Sequence, residues 1–324
     1  MHWRLSCLAG AVLLASASLA SRAAETYPAH PVRVIVQYVP GGNVDTAARA
    51  VARELSNQLG KQFIVDNRPG GGGSIAYQAL AVSAADGYSL GIGHIGQLAL
   101  NPHLLGKLPY DPLKDFTAIA RIADAPNLLV SAASFPAANL EDLVGYARSH
   151  PGKLAVANAG VGTVGHLAGE LLSARAGVSI VPVPYKGSAQ LTTDLIAGNV
   201  QAAFGGPPAL LPHIKTGRVH ALAVTGAKRS PAFPDLPTVA ELGYPGFQAV
   251  AWMGLIGPAG LDGRVVDLLS REIHKALTAE ELKRLFAANG FDVVASTPEE
   301  FSAFIRSEYQ SWGEFIQARG IHGE

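Results

Sequence analysis

VRVIVQYVPGGNVDTAARAVARELSNQLG, residues 32–60, runs through a strand, a glycine turn and a helix in immediate succession. Val32, Val34, Ile35 and Val36 form a short apolar run broken only by Arg33, the pattern of a parallel strand covered on both faces. Gly41 and Gly42 end it, and Asn43 stands where a helix N-cap is expected. Val44, Ala47, Ala48, Val51, Leu55 and Leu59 then recur at three- and four-residue steps, and Gly60 supplies the stop. A helix entered this way offers backbone N–H groups without intrahelical partners and the positive end of its dipole. The unit therefore predicts an anion pocket at residues 41–45.

The unit recurs. QFIVD (62–66) leads through NRPGGGGS into a helix, and YSLGI (88–92) leads into GHIGQ and another short helix. Three such units in a row predict a right-handed parallel βαβ sheet. Two strands within residues 108–134 change the rhythm and carry the chain toward a second series. There Asn139 caps a helix, residues 154–157 form a strand, and NAGVGTVGHLAGELL (158–172) repeats the glycine turn and helix. Strands at 181–183, 200–204 and 219–225 and a helix over 187–198 follow. The Pro- and Gly-rich residues 230–246 form a return connection to a long strand in AVAWMGLIGPAG (249–260), and helices starting near Asp262, Ala279 and Pro298 close the chain. Two α/β domains joined by two crossovers, each with a glycine turn and a helix N-terminus, predict a cleft that closes by a hinge around a small solute.

Residues 1–24 have the form of a secretory signal: Arg4, an apolar core from Leu8 to Leu14, and small residues after it, with cleavage after Ala20 or Ala23. The single cysteine, Cys7, lies inside this segment, so the exported chain is expected to have neither disulfide nor thiol chemistry. An exported two-domain chain without cysteine fits the bacterial periplasm. The 25 basic residues balance 25 acidic ones, and loss of Arg4 and Arg22 leaves the mature chain slightly acidic. That balance gives no reason to expect nucleic acid or anionic lipid as a partner.

GIGHIG (91–96), GVGTVG (160–165) and GGGSIA (71–76) match the dinucleotide fingerprint loosely, but none is followed at about 20 residues by an acid ending a strand. A serine elbow, an HExxH pair, a Walker lysine and a cysteine nucleophile are missing, so neither an enzyme nor a cofactor is expected. His166 and Glu170 have the spacing of a shared metal site but no third ligand nearby, which favours a helix-face hydrogen bond. Asp45 reads equally as a charge favouring the first helical turn and as a group that orients ligand. His94, in a glycine turn at a strand end, is either a ligand contact or simply exposed, and Lys186 in PYKGS reads as solvent-facing.

Blocks along nearly the whole mature chain, among them YPAHPVRVIV, PGGNVDTAAR, DNRPGGGGSIA, ADGYSLGIG, LPYDPLKDF, PGKLAVANAGVGTVGHLAGELL and VPYKGSAQLTTDLIAGNVQAAF, carry a family resemblance. The chain resembles the periplasmic solute-binding receptors of tripartite tricarboxylate transporters, the Bug family. The resemblance implies an α/β, two-lobed periplasmic-binding-protein fold, type II-like, that closes as a Venus flytrap on a hinge of two crossovers. Residues 25–125 and 251–324 would form lobe 1, and residues 126–250 lobe 2. It implies a monomer that captures a small carboxylate through main-chain groups of two opposed loops and delivers it to separate membrane permease subunits. A sensing subunit for a membrane signalling partner would use the same closure. The expected ligand-binding set is Tyr38, Gly41, Gly42, Asn43, Asp45 and His94 on lobe 1, and Gly160, Gly162, Thr163, His166, Tyr185, Gly205 and Gly206 on lobe 2. Two departures stand out from the family pattern. Gln37 replaces a usual proline and places a polar group near the cleft, and Gly205-Gly206 follow Phe204 where relatives often carry an acid. The second predicts a preference for carboxylates without an amino group.

Overall fold

In the computed structural model, which describes residues 27–322, strand β1 (Val32–Val36) buries its four valine and isoleucine side chains and exposes Arg33. Its parallel neighbours are β2 (Phe63–Asn67) and β3 (Ser89–His94), reached through helices α1 (Asn43–Leu59) and α2 (Ser74–Ala81). A π turn (Gly96–Leu100) and one helical turn, α3 (Asn101–Leu104), follow. β4 (Phe116–Pro126) joins this sheet before the chain crosses to the second, and the late strands β10 (Val250–Pro258) and β11 (Asp292–Val293) complete it in the order β11-β4-β10-β3-β1-β2. β10 is antiparallel to both β3 and β4, so the sheet is mixed rather than wholly parallel. The expected signal segment and Cys7 lie outside the described residues.

The second sheet holds β5 (Leu128–Ala132), β6 (Leu154–Asn158), β7 (Ile180–Pro184), β8 (Ala202–Gly205) and β9 (Val219–Val224) in the order β7-β6-β8-β5-β9. Its helices are α4 (Leu140–Ser149), capped by Asn139, then α5 (Val164–Ala176), α6 (Ser188–Ile196) and α7 (Pro207–Lys215). α7, which opens on Pro207-Pro208, is not foreseen in the sequence. At the first helical positions proline costs no bond, because those N–H groups have no intrahelical acceptor. Helices α8 (Gly263–Leu277), α9 (Glu280–Ala288) and α10 (Pro298–Arg319) follow β10.

The chain passes between the sheets twice, at Asn127 and over residues 225–249. Thr225, fully buried, ties the passages together. Its hydroxyl donates to Ala249 O (2.6 Å) and accepts from the Asn127 N–H (2.8 Å). Its own N–H reaches Asn127 O (3.0 Å), and its carbonyl accepts from the Ala249 N–H (2.9 Å). One apolar cluster runs through both halves, joining Trp252 and Phe301 to Leu167, Leu172 and Phe204 and including Trp312 and Ile316 of α10. Arg319 at the end of α10 pairs with Glu170 of α5 at 2.9 Å. The architecture is a two-lobed α/β fold with two crossovers.

Candidate functional site

A cavity of about 540 Å³ opens where loops of the two sheets meet. One side is made by Tyr38, Asn43 and Val44 after β1 and by His94, Ile95, Gly96 and Gln97 after β3. The other is made by Ala159 and Val161 to Gly165 after β6, by Ser188, and by Phe204 to Pro208 after β8, with the crossover residues Pro126 and Asn127 between the two series in the chain. A larger concavity, about 730 Å³, lies against the β1–β2 edge, but Asp66 there already pairs with Arg33 (3.9 Å) and Arg68 (2.9 Å), and no helix N-terminus is on its wall.

The turn between β1 and α1 is held from within. Gly41 has φ +83°, a left-handed conformation suited to glycine. Gly42, not Asn43, is the cap of α1, and it has no side chain with which to bond the helix. Asp45 instead braces the turn by reaching back: its carboxylate accepts from the Gly41 N–H (2.9 Å), Arg49 Nε (2.9 Å) and Asn67 Nδ2 (2.8 Å). Burial pushes this carboxyl up, but those bonds outweigh burial and hold it below the usual carboxylate value. Asp45 therefore faces its own turn, and Gly41, Gly42 and Asp45 are not on the cavity wall, whereas Asn43 and Val44 are. The first helical bond of α1 runs from the Thr46 N–H to Gly42 O, so the Asn43 and Val44 N–H groups have no intrahelical acceptor.

His94 and Tyr38 form the neighbouring stretch of wall. The Gly96 N–H donates to His94 Nδ1 at 3.1 Å, which places the ring proton on Nε2. The Tyr38 hydroxyl, also 3.1 Å from Nδ1, is then a donor too. Burial depresses His94 to about 4, so the ring is neutral near pH 7 and holds an Nε2–H donor with no protein acceptor among the described residues. Gln97, unforeseen in the sequence, also lines the cavity. It donates to Gly72 O (2.8 Å) and accepts from Gln37 Nε2 (3.3 Å). Gln37 is 2% exposed and sits behind the wall rather than on it.

On the second lobe Thr163 caps α5. Its Oγ1 accepts from the His166 N–H (3.3 Å) and donates to Gly160 O (2.7 Å). His166 Nδ1 accepts from the Gly162 N–H (3.2 Å), and burial pushes this imidazole below its usual value. His166 and Gly160 thus shape the loop from behind, while Gly162 and Thr163 face the cavity. A Cβ on Gly162, whose φ is +73°, would come 2.9 Å from Leu104 Cδ1 of the first lobe, so glycine permits this close approach. The Leu167 N–H is the first to reach the helix's own carbonyls, at Thr163 O, leaving the Val164 and Gly165 N–H groups without intrahelical partners beside the cavity.

Tyr185 is not on the wall; its hydroxyl donates to Asp194 Oδ2 at 2.8 Å, and burial together with that carboxylate pushes the phenol up to about 12. Gly205 and Gly206 are both on the wall but differ in direction. A Cβ on Gly205 would meet Leu210 Cδ1 at 3.0 Å and Leu191 Cδ2 at 3.9 Å, inside the core, so the space expected at Gly205 is not cleft space. Lys186 is exposed and does not line the cavity. Ser188, the last residue of PYKGS, and Asn127 and Asn289, which no motif marks, add neutral polar groups. The wall contains no lysine, arginine, aspartate or glutamate. Its chemistry is that of helix N-termini facing one space from both lobes, α1 from one and α5 and α6 (at Ser188) from the other, an arrangement that favours a small anion. Among the described residues no cluster of three or more His, Cys, Asp or Glu is placed to hold a metal, and no helix is long and apolar enough to cross a membrane.

Comparison with known proteins gives consistent results. The family model described as the tripartite tricarboxylate transporter family receptor matches residues 47–321. Protein BugT of Bordetella pertussis is 38% identical over 318 residues, 98% of each chain. A solved R. palustris protein with adipate is 34% identical with a TM-score of 0.78, over 92% of this chain and 100% of that one. MatC from Rhodopseudomonas palustris, solved with bound malate, is 31% identical with a TM-score of 0.72, over 90% of this chain and 100% of that one.

Proposed function

The chain belongs to the tripartite tricarboxylate transporter receptor family, and on that premise we propose that it is a monomeric receptor that captures a small carboxylate in the periplasm and delivers it to membrane permease subunits. It is exported through residues 1–24 and uses residues 25–125 and 251–324 as one lobe and 126–250 as the other. The observation that carries this reading is the pair of helix N-termini, at Asn43-Val44 and Val164-Gly165, on opposite lobes of one cavity without a charged side chain. Main-chain donors suit a carboxylate: bonds to a charged acceptor are each worth about 1.5–3 kcal/mol, and a helix end adds favourable potential. Because the donors come from both lobes, ligand stabilises the closed arrangement over the open one by the contacts available only there. The His94 Nε2–H and the side chains of Gln97, Asn127, Ser188 and Asn289 add neutral polar groups.

A cavity of about 540 Å³ is within the range of small-molecule sites. Relatives solved with adipate and malate support the same ligand class. The role is a receptor's rather than an enzyme's. The test is a thermal-shift screen of the purified chain over mono-, di- and aromatic carboxylates, each paired with its amide. A ligand at 100 times its Kd adds about 2.7 kcal/mol of stability by mass action, and its amide should add far less. A screen in which no carboxylate raises the transition would overturn the reading.

A further inference from the structure

The cavity is chemically lopsided. α1, α5 and α6 (at Ser188) bring helix N-termini with free N–H groups to it, but α7, whose N-terminus also reaches the wall, begins with Pro207-Pro208 and has no N–H at either position. The next donor, the Ala209 N–H, is already bonded to Gly206 O at 3.2 Å. This helix end therefore presents pyrrolidine rings instead of donors. Gly290 adjoins it so closely that a Cβ there would lie 2.9 Å from Pro207 Cγ, and Phe291 follows on the same wall.

Gly206 is the cap of α7, a position that Ser, Thr, Asp and Asn fill as readily as glycine. Nothing local requires glycine there. Its φ of −70° and ψ of 143° are open to any residue. A Cβ would meet only Pro208 Cδ, at an ordinary 3.8 Å, so a side chain would have room at this point of the wall. The neighbouring Gly205 is different, because its missing side chain points at Leu210 and Leu191. Glycine at 206 keeps this end of the cavity, where Asn289 is the neutral polar neighbour, free of any anionic group that pairs with a cation.

We infer that the cavity, taken as the carboxylate site proposed above, selects ligands whose body is uncharged and apolar, rejects those carrying an ammonium group, and does so through the bare wall at Gly206. A buried ammonium without an anionic partner is costly, and no wall residue supplies one. An alkyl or aryl body against Pro207, Pro208 and Phe291 meets no such penalty.

Three six-carbon probes test this by calorimetry on the purified, ligand-free chain: hexanoate, norleucine and 6-aminohexanoate. Hexanoate should bind at least tenfold more tightly than either amino form. Gly206→Asp should narrow the ratio of hexanoate to 6-aminohexanoate by at least tenfold, while Gly206→Ala, which adds a Cβ without charge, should leave it unchanged. Circular dichroism on both variants confirms that the fold is retained. Binding of either amino form as tightly as hexanoate, or an unaltered ratio in folded Gly206→Asp, overturns the inference. If hexanoate fails to bind while other carboxylates do, the apolar-body inference falls and the receptor reading stands. If no carboxylate binds at all, both fall.

Discussion

Replacing Asp45 by alanine separates a bracing role from a ligand-contacting one. The carboxylate is 2% exposed and accepts three bonds, from Gly41, Arg49 and Asn67. The Arg49 side chain is 51% exposed, so it rehydrates when its partner is lost, and its share is discounted to that of a surface i,i+4 pair, about 0.3–0.5 kcal/mol. The Gly41 and Asn67 bonds are made to a buried charge, and together they contribute about 3 kcal/mol at the low end of their range. Asp45→Ala is therefore expected to lose about 3 kcal/mol in equilibrium urea unfolding. Asn67 also donates to Tyr38 O at 3.0 Å, so the loss loosens both ends of the turn that sets the Asn43 and Val44 donors. Carboxylate affinity should fall at least tenfold in the same variant. The sign with pH is fixed by the depressed carboxyl: its stabilisation is complete above its ordinary value of 3.8 and is lost as pH falls through the lower folded value. A large loss of affinity with wild-type stability would place Asp45 on the ligand, and wild-type values for both would refute the bracing role.

Two further outcomes follow from the same geometry. Because burial holds His94 near 4, it is neutral throughout the physiological range, and carboxylate affinity measured by calorimetry should be flat between about pH 5.5 and 8; affinity falling about tenfold per unit above the ordinary histidine value of 6.5 would show a cationic histidine instead. Its contribution to folding has the matching sign, present above 6.5 and lost as pH falls through about 4. Thr225→Val keeps the shape but leaves the Asn127 N–H and Ala249 O without the hydroxyl they share, and should cost about 1–3 kcal/mol in urea unfolding; a change below about 0.5 kcal/mol would refute the clasp between the two crossovers.

What the sequence reveals is local. Residues 32–60 declare their strand, turn and helix because burial periodicity, glycine and the helix stop all lie within one unit. The partner of a strand is not local: AVAWMGLIGPAG reads as a strand, but only the tertiary fold inserts β10 antiparallel between β3 and β4. The loops of the site are legible for the same reason as the units, since each follows a strand and opens a helix. Side-chain direction within them is not. Asp45 turns back to Gly41, His166 to Gly162, and Tyr185 to Asp194, while Asn43 and Thr163 remain on the wall. Gly205 and Gly206 show the limit most clearly, because a side chain at the first would run into Leu210 and Leu191 of the core while one at the second would meet only Pro208. Asn127 and Thr225 belong to different crossovers about a hundred residues apart, and their pairing exists only once both sheets have formed.

The most direct test of a carboxylate held between the lobes by main-chain donors is a titration of the ¹⁵N-labelled chain followed by amide chemical shifts. With a carboxylate from the thermal-shift screen, the N–H resonances of Asn43, Val44, Val164 and Gly165 should move together along one binding curve, and the matching amide should leave them nearly unmoved at the same concentration. Shifts confined to one lobe, or equal shifts with acid and amide, would contradict it.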